Sequence, residues 1–238
     1  DYHGNRVVHL EFDQPHHELV ETAHSVVETS IPERSLLDHD HDPWEAAILL
    51  PSGASGADAA EVEFALDSPL VPTSPELADY ARPSFSADRP LGEAALDLCR
   101  RIHDDFAYRP GSTSISTSVF DVLQHRAGVC QDFAHVAIGA LRSLGLAAQY
   151  VSGYLETRPP PGEPRLQGVD ASHAWFSVLQ PDGAWLHLDP TNDRIVNDRY
   201  VVLGWGRDYG DVAPLKGVVF GPGGRQSLTV EVDVIRHN

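Results

Sequence analysis

Gly128-Val129-Cys130-Gln131-Asp132-Phe133-Ala134-His135, running on to Leu141-Arg142-Ser143-Leu144-Gly145-Leu146, is the stretch whose reading decides the fold. Cys130, Phe133, Ala134, Ala137, Ile138, Leu141 and Leu144 recur at i, i+3, i+4, i+7, which puts them on one face of a buried helix. Gly128 lies just ahead of this pattern and Gly145 just behind it, where a chain joins and leaves a helix. Cys130 therefore falls in the first helical turn. A thiol is a useful nucleophile only as thiolate, and the unpaired N–H groups and dipole of a helix N-terminus favour negative charge. The plainer alternative is that Cys130 packs, since Cys is among the most buried residue types. Asp132 is placed to cap the helix start, and His135, one turn beyond Cys130, reads as structural.

Working outward, Leu91, Ala95, Leu98, Ile102 and Phe106 mark one face of an earlier helix, with Pro90 in its first turn and Asp88 as a plausible cap. Cys99 lies inside it beside Arg100 and Arg101 and reads as structural. Ser118 caps a short helix through Val119, Val122 and Leu123. Beyond Gly145 the chain reads as β. Residues 147–155 and 173–179 form strands around a Pro/Gly-rich loop at 158–168. Pro181-Asp182-Gly183 is a hairpin turn, 185–188 the return strand and 228–235 a last strand. Residues 1–80 read as part of a β-rich region, with strands at 7–12 and 19–29 about a turn at Pro15-His16-His17. Two or three strands cannot stand alone. Segments 44–50 and 62–66 fit helix or strand equally, and 51–56 is a flexible turn. The fold class is α+β, with residues 81–238 as the core.

The chain has 238 residues, 42% of them hydrophobic and 22% charged, the composition of a globular protein with a real core. No apolar run approaches the ~20 residues of a membrane helix. A net charge of −18 argues against nucleic acid, whose phosphates would be repelled; it serves solubility first, and a preference for neutral or cationic substrates second. Two cysteines are too few for a disulfide scaffold of this length, so a reducing, cytoplasmic setting is expected. The chain begins at Asp1 and contains no Met, which leads us to expect a natural start upstream. Asp38-His39-Asp40-His41-Asp42 has the ligand types of a metal cluster, but alternating loop neighbours rarely converge on one ion, and a solvated acidic loop is the preferred reading.

His173 begins one hairpin strand and Asp189 closes the other. If the turn is at Asp182-Gly183, the two fall near each other across the ladder, where opposite Cβ atoms are about 5 Å apart. A carboxylate beside an imidazole fixes its tautomer and stabilises its protonated form. Acyl-transfer chemistry needs a nucleophile, a base and an orienting group, for which Cys130, His173 and Asp189 are the candidates; nothing in the spacing itself brings Cys130 to the hairpin.

Five blocks then occur in order: the Cys130 segment, Leu141-Arg142-Ser143-Leu144-Gly145-Leu146, Tyr150-Val151-Ser152-Gly153-Tyr154, Ser172-His173-Ala174-Trp175 and Leu188-Asp189-Pro190-Thr191-Asn192. Over residues 85–238 the chain resembles the bacterial transglutaminase-like superfamily, in the branch described as candidate cysteine proteases. Tyr2-His3-Gly4-Asn5 and Pro15-His16-His17 resemble the end of that branch's N-terminal β region. The resemblance implies a papain-like core with the Cys on a helix and the His and Asp on adjacent antiparallel strands. It implies a Cys130–His173–Asp189 catalytic triad acting on a peptide or other amide through a thioester. Water resolving the thioester is favoured slightly over an amine; a catalytically inactive binding module of the same fold is the alternative. Gln131 is a candidate oxyanion helper and Trp175 a candidate wall of the acyl site, each with packing as its plain alternative; Asn192 is a candidate support for the Asp189 loop. No cofactor and no metal site are expected. Animal transglutaminases use calcium, but no calcium loop is present. The oligomeric state stays open.

Overall fold

In the computed structural model a 3₁₀ turn (Trp44–Ala47) and three helices, α1 (Ala59–Glu63), α2 (Pro75–Ala81) and α3 (Leu91–Asp105), come first. The short strand β1 (Ala107–Tyr108), α4 (Val119–His125), β2 (Ala127–Gly128) and α5 (Cys130–Arg142) follow. Strands β3 (Ala148–Leu155), β4 (Ser172–Leu179), β5 (Trp185–Asp189), β6 (Arg194–Ile195) and β7 (Tyr200–Gly206) complete the order. The structure describes residues 1–14, 16–30, 42–49, 59–156, 172–218, 220 and 229–236.

The apolar stripe read at 130–144 is α5, buried along nearly its whole length. It lies against one face of an antiparallel five-stranded sheet ordered β6-β5-β4-β3-β7. Ala148, Tyr150, Ala174, Phe176 and Val178 belong to the same core cluster as Phe133, Ala137, Ile138 and Leu141. Alternation along the strands sends Val151 and Trp175 into a second cluster with Tyr200. Each large side chain so buried contributes roughly 1.5–3 kcal/mol. At Gly153 the backbone has no room for a side chain: a Cβ there would stand 2.5 Å from the Trp175 ring.

Several expectations need correction. Pro90, not Asp88, sits at the N-cap of α3, and no side chain caps it. Asp88 has a φ of 59° and gives its N–H to Glu45 instead. Ser118 does cap α4, accepting from the Asp121 N–H at 3.1 Å. The strands expected at 7–12, 19–29 and 228–235 are not formed among the described residues. A strand exists only through a laddered neighbour, and Val7, Val8 and Val26 stand largely exposed. The opening segment instead docks on the edge strand β7: the Asn5 amide donates to the Trp205 carbonyl at 2.7 Å and accepts its N–H at 2.9 Å. Residues 44–47 and 59–63 turn out helical, and Val71, Leu77 and Tyr80 share the core of α5. The loops read at 51–56 and 158–168 lie outside the described residues. No described helix is long and apolar enough to cross a membrane.

Arg142 ends α5 inside the protein, 2% exposed. Its guanidinium donates to the carbonyls of Phe64 at 2.8 Å, Ala148 at 2.8 Å and Arg207 at 2.7 Å, and to the Ser68 hydroxyl at 3.2 Å. Burial lowers its pKa to about 10 while the charge of buried Asp208 opposes the fall, so it stays charged at neutral pH. One side chain therefore ties the helix end to three separate segments. Arg142→Met keeps the stem but strands these carbonyls at ~1–3 kcal/mol each. We expect urea denaturation to report a loss of about 3 kcal/mol or more.

Candidate functional site

Cys130 is the first residue of α5 and is half-buried. The turn beneath it is pinned by Asp132, 3% exposed, which accepts the Val129 N–H at 2.8 Å and the Thr113 hydroxyl at 2.6 Å. This is half of a capping box, as read from the sequence. Gly128 makes room for it, since a Cβ there would stand 2.6 Å from the Asp132 carboxylate. Tyr108, opposite Gly128 in the parallel β1–β2 pair, lies beside Cys130 with its ring more than half exposed. Burial and the neighbouring Cys130 charge raise its pKa.

His173 enters from β4, opposite Gly153 of β3. Its Nε2 lies 2.7 Å from Asp189 Oδ2. Burial by itself would lower the imidazole pKa; hydrogen bonds to Asp189 and to Cys130, with their charges, outweigh it and raise it to about 9. The three residues are thus brought together, with His173 in the middle.

The register differs from expectation. β4 and β5 pair Phe176 with Leu188 and Leu179 with Trp185, so continuing the ladder sets Asp189 opposite Trp175. His173 and Asp189 are diagonal neighbours, and their side chains close the wider gap.

Asp189 is fully buried and is held from three directions. Oδ1 accepts the N–H groups of Thr191 at 2.9 Å and Asn192 at 3.3 Å. Oδ2 accepts from Asn192 Nδ2 at 2.6 Å, the Tyr200 hydroxyl at 2.7 Å and His173. Burial alone would raise the carboxyl pKa, but these donors and the His173 charge lower it below its ordinary value. Asn192 therefore supports the Asp189 loop as read. Tyr200 and Tyr108 were missed. The run Tyr200-Val201-Val202-Leu203 has the β-branched and aromatic make-up of a strand, the signal that was available.

Trp175, a candidate wall of the acyl site, is packed into the second core cluster. It is fully buried, its Nε1 donates to His187 Nδ1 at 3.2 Å, and its ring meets Tyr200 edge-on at 5.2 Å. Gln131 is the second residue of α5 and half-buried next to Cys130. His135 is structural: it accepts the Tyr209 N–H at 3.2 Å, and burial lowers its pKa to about 4 despite the opposing charge of Asp208. Cys99 is buried inside α3, and burial pushes its thiol pKa far up. Among the described residues no group of three His, Cys, Asp or Glu is placed to hold a metal ion. Residues 38–41 of the acidic stretch lie outside the described residues.

Residues 78–190 match the family model described as the transglutaminase-like superfamily. An uncharacterized protein of Mycobacterium tuberculosis is 47% identical over 241 residues, covering 99% of this chain and 76% of that protein. A protein-glutamine gamma-glutamyltransferase of Pseudomonas aeruginosa is 34% identical over 110 residues, 43% of this chain and 16% of that protein. Among solved structures, a candidate cysteine protease from Cytophaga hutchinsonii aligns with a TM-score of 0.57 at 29% identity. The alignment covers 72% of this chain and 55% of that one, so the chain spans about half the length of that solved relative.

The histidine shifts set opposite slopes of stability against pH. His173 binds its proton more tightly folded than unfolded; its contribution is complete below pH ~6.5 and is lost as pH rises towards 9. His135 and His187, each lowered to about 4 by burial, contribute fully above ~6.5 and lose it as pH falls towards 4. Urea midpoints are expected to be highest near pH 6.5. Between pH ~6.5 and about 8 the decline, at most about 1.4 kcal/mol per pH unit from one proton, should vanish in His173→Gln, while the acid decline and the steeper loss that buried Cys99 adds at higher pH remain.

Proposed function

The chain belongs to the transglutaminase-like superfamily, and on that premise we propose that it is a cysteine-dependent acyl-transfer enzyme acting on a peptide or other amide. The observation that supports the reading is the buried Asp189–His173 bond of 2.7 Å, with Cys130 near enough to the same imidazole to help raise its pKa. An isolated His–Asp pair would be a structural feature. A half-buried thiol at a helix N-terminus, next to that same ring, has the parts of a nucleophile with its base at hand.

The steps follow from the parts. The Cys130 proton passes to His173, and the sulfur attacks the carbonyl carbon of the amide. Negative charge then develops on the former carbonyl oxygen, for which the backbone N–H of Cys130 at the start of α5 is the candidate donor, with Gln131 as a second. His173 returns the proton to the leaving nitrogen as the C–N bond breaks, which leaves a thioester on Cys130. Asp189 holds the ring's orientation and offsets its positive charge throughout. Water, entering with His173 as base, releases the acid; an amine would give a new amide. Hydrolysis is the favoured outcome because water needs no second binding site, whereas transfer needs a site that excludes it.

Iodoacetamide near neutral pH should label Cys130 much faster than Cys99, and labelling at equal rates would defeat the activated-thiol reading. In a screen of glutaminyl and peptide amides, with and without an added amine, Cys130→Ala should abolish turnover, as should His173→Ala. Asp189→Asn should retain a small residue of it, with kcat falling by roughly 10²–10⁴. Turnover that survives Cys130→Ala would exclude the mechanism.

A further inference from the structure

Tyr200 opens β7, pairs with Leu155 of β3 and is 4% exposed. Its hydroxyl points at the same Asp189 oxygen that His173 uses: both donate to Oδ2 at 2.7 Å, and Asn192 Nδ2 adds a third donor at 2.6 Å. Oδ1 is occupied by the loop's own backbone N–H groups. A carboxylate offers about two lone-pair sites per oxygen. Three donors on Oδ2 therefore share it, and each weakens the others' hold. The phenol cannot swing away, because its ring meets Trp175 edge-on at 5.2 Å and lies 6.1 Å from the His173 ring.

We propose that Tyr200 is a positioning residue of the Cys130–His173–Asp189 group: its hydroxyl divides Oδ2 with His173 and so limits how tightly the carboxylate holds the protonated ring. The inference rests on the acyl-transfer reading above. In that chemistry an imidazolium gripped too strongly is a weak acid towards the leaving nitrogen. A neutral donor competing for the carboxylate keeps the proton transferable without disturbing the ring's orientation. Burial and the Asp189 charge raise the phenol pKa, with Arg194 and Arg199 opposing, so it remains a donor at working pH. The charged and titratable groups facing the ring are Cys130 from α5, Asp189 from β5 and, behind the phenol, Arg194 on β6 and Arg199 just ahead of β7.

Tyr200→Phe in the full chain removes the hydroxyl and keeps the ring. The His173 titration followed by NMR should move upwards by roughly half a pH unit or more, and the alkaline limb of Cys130 alkylation by iodoacetamide should move with it. An unchanged or lowered His173 titration overturns the proposal, because a purely packing role would leave the midpoint where it is. Asn192→Ala takes the other side-chain donor from Oδ2 and should shift the titration the same way; no shift there also overturns it. The NMR readout needs no substrate. If wild-type Cys130 alkylates no faster than Cys99, the acyl-transfer reading fails by itself, while the His173 midpoints still decide the role of Tyr200.

Discussion

A carboxylate with no exposed surface is costly to ionise unless every lone pair finds a donor. Asp189 meets that condition by drawing on three places: its own loop through Thr191 and Asn192, strand β4 through His173, and strand β7 through Tyr200. The register of β4 against β5 and the pairing of β7 on β3 are thereby coupled to one anion. A slip of one residue in either ladder would turn His173 or Tyr200 to the other face of the sheet. The charge on His173, and through it the proton on Cys130, follows from how completely this carboxylate is satisfied.

The helix that presents Cys130 is anchored by charge at both ends. Asp132 is buried under its first turn and Arg142 is buried at its last. Each sign suits the helix dipole at its own end, and each group is hydrogen-bonded to segments from elsewhere in the chain. The apolar face between them supplies most of the adhesion to the sheet. The two polar ends fix where along the sheet the helix stops, and so fix the height of the thiol relative to His173.

Much of this was legible in the sequence where the pattern was local. The stripe from Cys130 to Leu144, the Ser118 cap and the Asp182-Gly183 turn each depend on neighbours a few residues apart, and each appears as read. What failed depended on partners far along the chain. The exposed apolar residues at 7–12 and 19–29 alternate like strands, yet alternation does not supply a ladder. That Trp175 packs between Tyr200 and His187 likewise depends on strands distant in sequence. Tyr200 belongs to the site solely because β7 folds back beside β3, and no spacing within the sequence announces that. The diagonal placement of His173 and Asp189 likewise follows from a register that the turn residues leave open by two positions.

The amide of Asn5 binds both backbone groups of Trp205, as a neighbouring strand would. Asn5 and Trp205 are separated by 200 residues. A chain leaving the ribosome can form α5 as soon as residue 142 emerges, but β7 and its edge partner can join only after residue 206 has followed. The hydroxyl that completes the carboxylate cluster arrives with β7. The thiol at position 130 therefore emerges 70 residues ahead of the hydroxyl at position 200, and the reactive centre matures only when β7 docks beside β3, its edge meeting Asn5.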